Sequence, residues 1–165
     1  MHEPHVQTVV ADIVGDLDYP MLIVTAAGEG ERSGCLVGFA AQCSIDPQRL
    51  MVWISKENHT ARVAAAAAAL AVHFPARDQV SLAALFGSET GDEVDKFSRC
   101  RWHPGPGGLP ILEECERWLV GTILERIDTG DHTGYLLDPM AAETGPWAGQ
   151  LCFQAVRDLE PGHPA

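Results

Sequence analysis

Basic residues are scarce in this chain. Eleven lysines and arginines stand against 23 aspartates and glutamates, giving a formal net charge of −12. Such a surface repels a phosphate backbone and an anionic bilayer, so nucleic acid and membrane are excluded as partners. No apolar run is long enough to cross a bilayer. The start, Met1-His2-Glu3-Pro4-His5, has neither basic residues nor an apolar stretch and is read as no signal peptide. The five cysteines, at 35, 43, 100, 115 and 152, are odd in number and form no Cys-x-x-Cys pair. A disulfide framework or zinc knuckle is thereby disfavoured, and free thiols in a reducing cytoplasm are expected.

Other chemistries lack their signatures as well. Ser33-Gly34 has no Gly-x-Ser-x-Gly frame for a nucleophile elbow. Cys100 and His103 have no further ligands at zinc spacing, so no metal site is expected. His2 and His5 lie on the terminal segment and carry no metal role. Glu113, Glu114 and Glu116 are sequence neighbours and cannot flank a glycosidic bond from both sides. The glycines at 28, 30 and 34 have the wrong spacing for a dinucleotide loop. They also precede a strand-like stretch, not a helix, so a Rossmann fold is discarded.

What is present reads as one globular domain over residues 1–165, with a flexible Pro/Gly tail at 160–165. Residues 21–26 are short, apolar and β-branched, a buried strand. A turn at 28–34 leads to a second strand at 35–39. Asp46-Pro47 turns the chain into a third at 50–55. The alanines at 64–69 continue a helix capped by Asn58 or Thr60, and residues 71–74 return as a strand. Residues 78–86 have helical period, and 92–97 form another short helix. Prolines and glycines make 102–110 a loop. Residues 118–127 and 132–140 are strands around a Thr129-Gly130-Asp131 turn. Hairpins dominate, so the expected class is mostly β: an antiparallel barrel of six or seven strands with a few short helices.

Four constellations could carry chemistry, and each has a structural alternative. Ser55-Lys56-Glu57-Asn58-His59-Thr60 stands between a strand and a helix start. There, free N–H groups, hydroxyls and Lys56 suit a phosphate; the alternative is plain helix capping. Gly38-Phe39-Ala40-Ala41-Gln42-Cys43-Ser44 is small enough for a flat ring to approach the backbone, or is a β-bulge or barrel corner. Lys96 could reach an anionic ligand, or pair at the surface with Asp92 or Asp95. His132 begins a strand after a tight turn, where a histidine is functional or merely a turn residue.

In order along the chain, these pieces resemble the flavin reductase family, with its FMN-binding split barrel of antiparallel Greek-key type. The matching text is Glu31-Arg32-Ser33-Gly34, Cys43-Ser44-Ile45-Asp46-Pro47, residues 55–60, Leu85-Phe86-Gly87-Ser88, Asp95-Lys96-Phe97, Gly107-Gly108-Leu109-Pro110 and Gly130-Asp131-His132. The resemblance implies a homodimer binding one flavin per subunit, FMN or alternatively FAD. The isoalloxazine would lie along Gly38, Phe39, Ala40, Cys43 and Ser44. The phosphate would fall near Ser55, Lys56, Asn58, His59 and Thr60, with Lys96 also contacting the cofactor. His132 would orient the nicotinamide of NADH or NADPH. The implied activity is NAD(P)H-dependent flavin reduction in the cytoplasm, often supplying a separate monooxygenase. Alternatives are a non-enzymatic flavin-binding or electron-transfer protein, or a split barrel for a deazaflavin or haem. The chain has Val37, Gly38 and Ala40 where the family often has hydroxyl side chains, and Gln48 where it often has a second proline.

Overall fold

Pro4 opens the first helix, α1 (Pro4–Gly15), where a missing N–H costs nothing. The helix is followed by β1 (Leu22–Gly28) and β2 (Glu31–Val37). Glu29 and Gly30 join them with φ of 53° and 77°, as a two-residue hairpin turn of mirror type requires. The computed structural model describes residues 3–91 and 93–162. His2, Asp92 and the last three residues of the expected tail lie outside that range. The second strand therefore starts four residues before the expected 35, because two residues suffice for the turn. Gly34 lies inside β2, where a Cβ would come within 2.8 Å of the Phe86 ring.

Residues 40–45, expected as a small-residue segment, form an edge strand, β3 (Ala40–Ile45), paired with β4 (Gln48–Ser55). The pairing register shifts between Gln42 and Ser44, so Cys43 is the extra residue of a bulge. The alanine run divides. Helix α2 (His59–Ala66) stops at Ala67, whose ψ of 148° is extended, and β5 (Ala69–His73) begins inside the run. Leu70 and Val72 are fully buried, and their burial in the sheet outweighs alanine's helix preference. Helix α3 (Val80–Ser88) is as expected, but beyond residue 92 only a 3₁₀ turn at Lys96–Ser98 forms. The Pro/Gly loop contains a small hairpin, β6 (Trp102–Pro104) with β7 (Pro110–Leu112). The long pair β8 (Trp118–Asp128) and β9 (His132–Glu143) completes the fold.

Seven strands form one antiparallel sheet in the order β2-β1-β5-β8-β9-β4-β3. Its two edges, β2 and β3, are joined by Gly38 and Phe39 alone. Opposite edges that close in sequence must meet in space, so the sheet curls into a barrel with an unzipped seam between them. The core inside the curl is built from Leu22, Val24, Val52, Ile54, Leu70, Val72, Tyr135 and Leu137, all buried. A second apolar cluster, with Phe86, Phe97 and Leu112, packs α3 and the small hairpin outside the sheet. No helix of the described residues is long and apolar enough to cross a membrane.

Candidate functional site

A cleft of about 330 Å³ opens at the seam. That falls in the ordinary range for small-molecule sites. Tyr19, Phe39, Trp53 and Phe153 supply aromatic walls, Ser55 and Asn58 a polar end, and His132 the rim. Gly38 makes the floor: a Cβ there would sit 2.8 Å from Tyr19 Cε2 and 3.3 Å from Met21 Sδ. The backbone is pinned at that point because Trp53 N–H donates to Phe39 O at 2.9 Å. Tyr19 stacks on Phe153 with centroids 4.7 Å apart, while the Phe39 and His132 rings lie 4.9 Å apart. Cys35 also faces this cleft, and burial pushes its thiol up to about 11, so it stays neutral.

His132 is held by its neighbour. Its Nδ1 lies 2.7 Å from Asp131 Oδ1. The hydrogen bond from His132, then its charge, holds the Asp131 carboxyl below the ordinary carboxylate range. An ionised carboxylate only accepts, so Nδ1 carries the proton of this bond and Nε2 is left outside it. The turn itself is braced by Lys56. Its N–H donates to Asp131 O, and its Nζ to Asp128 Oδ1 at 2.8 Å. Ser55 pairs with His132 across the β4–β9 ladder, which brings the end of β4 and the histidine to the same edge of the cleft.

The structure thus gathers Gly38, Phe39, Ser55, Asn58 and His132 around one cavity. It separates the remaining candidates. Ala40, Cys43 and Ser44 run away from it along the edge strand, with Cys43 exposed at the bulge. Thr60 is fully buried and its N–H is taken by Asn58 Oδ1 at 2.9 Å, so it offers nothing to a ligand. Lys96 is 4% exposed, which overturns its reading as a surface lysine. Its Nζ donates to Gly34 O and Phe86 O, tying β2 to α3, and desolvation lowers its pKa.

Lys96 and His59 line a neighbouring cleft of about 380 Å³. There a chain of hydrogen bonds links Thr60 Oγ1 with Ser33 Oγ (2.8 Å), Ser33 Oγ with His59 Nδ1 (2.8 Å), and His59 Nε2 with Glu31 Oε1 (2.9 Å). The order is that of a serine nucleophile, base and acid. Yet Ser33 is 3% exposed and already engaged at both sides, so the chain fastens α2 to β2. Reading the sequence missed Tyr19, Met21, Trp53 and Phe153. Only Trp53 carried a signal, as the sole aromatic residue of its strand. No three His, Cys, Asp or Glu side chains are grouped to hold a metal among the described residues.

A seven-stranded antiparallel sheet curled to a seam, with an aromatic cleft in that seam, defines a split barrel. The chain belongs to the flavin reductase like domain family, whose model matches residues 14–155. It is 29% identical over 122 residues to the high molecular weight rubredoxin of Moorella thermoacetica, covering 73% of this chain and 53% of that protein. It is 22% identical over 129 residues to the NAD(P)H ferric-chelate reductase of Archaeoglobus fulgidus, covering 77% and 76% respectively. The structure of a flavin reductase domain protein from Arthrobacter superposes with a TM-score of 0.81 at 20% identity, over 88% of this chain and 89% of that one. The chain spans about half the length of the first of these relatives.

Proposed function

We propose that this chain is an NAD(P)H-dependent flavin reductase that holds FMN or FAD in the seam cleft. The observation that carries the reading is the convergence of Gly38, Phe39, Ser55, Asn58 and His132, distant in sequence, on one aromatic cavity. The residues suit the group. The missing Cβ at Gly38 lets Tyr19 pack against the backbone there, Tyr19 and Trp53 offer apolar faces to a flat ring, and Ser55 and Asn58 offer polar groups to a ribityl phosphate. When bound, the flavin supplies the hydride chemistry itself, so the protein needs no nucleophile. Its own contribution is position. Asp131 fixes the His132 ring at the rim, and His132 Nε2 is left to meet the amide of a nicotinamide stacked on the outer side of the cleft.

The same reading includes a homodimer, a cytoplasmic location and delivery of reduced flavin to a monooxygenase. The reductase part of the reading is supported by the family assignment and by the NAD(P)H reductase among the relatives. The test mixes the purified protein anaerobically with FMN or FAD and with NADH or NADPH, following the oxidised flavin absorbance. Loss of absorbance with one donor is expected. No loss with any of the four combinations, despite flavin binding, would leave a flavin-binding or electron-transfer protein. Light scattering with and without flavin checks the dimer.

A further inference from the structure

At the far end of β9 lies a second cavity that the flavin reading does not use. Trp118 pairs with His73 on one side and Glu143 on the other, closing the end of the β5–β8–β9 ladder opposite to His132. With a strand rise near 3.3 Å, the twelve residues of β9 span roughly 36 Å between the two sites. The cavity measures about 300 Å³, and Phe74, Trp118, Leu119 and Trp147 form most of its wall. Arg117 is its cation. The guanidinium carbon stands 4.0 Å from the centroid of the Trp147 ring.

Two features of Arg117 are unusual. Its Nε is buried and donates to nothing among the described residues. A buried donor without an acceptor is costly, and native proteins rarely tolerate one without a use. In addition, Arg117 makes no ion pair within 4.0 Å to a described residue, although the chain holds 23 carboxylates. Glu143 shares the cavity but is exposed to water and stays outside that distance. The guanidinium without a close ion pair and the aromatic walls describe one complement, while Asp78, Glu114 and Glu116 line the adjoining cleft that Arg117 also borders. It is a planar ring to lie against Trp118, carrying a carboxylate to accept from the terminal guanidinium N–H groups of Arg117.

We infer that the Phe74–Arg117–Trp118–Trp147 cavity is a binding site for a small aromatic carboxylate, separate from the seam cleft. The inference is independent of flavin. The test titrates the protein with benzoate, benzyl alcohol and benzylamine, following tryptophan fluorescence and the indole N–H resonances. Trp118→Phe and Trp147→Phe variants assign those resonances. Benzoate is expected to saturate and to move the Trp118 and Trp147 signals. Benzyl alcohol should bind roughly tenfold more weakly, and benzylamine not at all. Arg117→Gln should weaken benzoate roughly tenfold while leaving flavin affinity unchanged. The ligand panel on the unmodified protein decides the matter even if that variant fails to fold. The site is refuted if benzoate does not saturate, if benzylamine binds as well, or if the signal that moves is that of Trp53 and flavin abolishes it.

Discussion

Asn58 and Thr60 look equivalent as phosphate donors in the sequence, and their surroundings divide them. Asn58 lines the seam cleft and caps α2 through Oδ1, whereas Thr60 is sealed beneath it with its hydroxyl on Ser33. Asn58→Ala should therefore cost about 1 kcal/mol of stability through the lost cap. It should also raise the flavin Kd. Thr60→Ala should lower Tm by a comparable amount, through one buried hydrogen bond worth about 1 kcal/mol, and leave Kd untouched. Thermal melts beside flavin titrations separate the two, and a Thr60→Ala variant with weakened binding would return that residue to the site. His132 belongs to the same scale. With Nδ1 committed to Asp131, His132→Ala is expected to slow NAD(P)H oxidation about 10–100-fold with little change in flavin affinity, as suits a group that positions the donor. Stopped-flow reduction of pre-bound flavin measures this, and equal losses in binding and reduction would contradict it.

At the scale of elements, one histidine joins three strands. His73 on β5 is fully buried. Its Nδ1 donates to Ile23 O of β1, and its Nε2 accepts from Leu112 N of β7. Burial is the main cause that pulls its pKa from 6.5 down to about 4. The folded state holds the neutral ring, and the unfolded chain takes up the proton first. This contribution is full above pH 6.5 and is lost as pH falls through about 4, a change of about 3 kcal/mol across that window. Urea titrations between pH 7 and 4 should show the decline. His73→Gln should flatten it while lowering stability at pH 7. A slope that survives the substitution would assign the acid sensitivity to another group.

Much of this architecture was legible beforehand, and the exceptions share a cause. The β8–β9 hairpin, β4 and α3 follow from local apolar pattern and turn residues, and they appear within a few positions of expectation. The alanine run was misread because Leu70 and Val72 answer to the barrel interior, which no local propensity encodes. The surface alternative for Lys96 failed for the same reason, since nothing near it in sequence announces that Gly34 and Phe86 carbonyls wait for it. In the site, the polar and glycine positions were visible. Tyr19 and Phe153 were not, because they come from opposite ends of the chain and meet only when the tail folds back, Phe153 N–H donating to Tyr19 O.

For the whole molecule, charge sets how an anionic ligand arrives. The chain carries −12, yet among the described residues no acidic side chain lines the seam cleft. Lys56, which follows the cleft-lining Ser55, is spent on Asp128 in a 2.8 Å pair. A flavin phosphate or a nicotinamide dinucleotide therefore approaches against a repulsive field, with no basic funnel to counter it. The Debye length shrinks from about 30 Å at 0.01 M salt to about 10 Å at 0.1 M, which takes most of the remote carboxylates out of range. The association rate of FMN should accordingly rise about two- to fivefold between these ionic strengths. Dissociation, governed by contacts inside the cleft, should stay nearly constant. Riboflavin, which lacks the phosphate, should show no such rise. Stopped-flow quenching of flavin fluorescence measures all three. An FMN association rate that falls with salt would mean that the cleft presents a positive field, and that Lys56 leaves Asp128 to meet the phosphate.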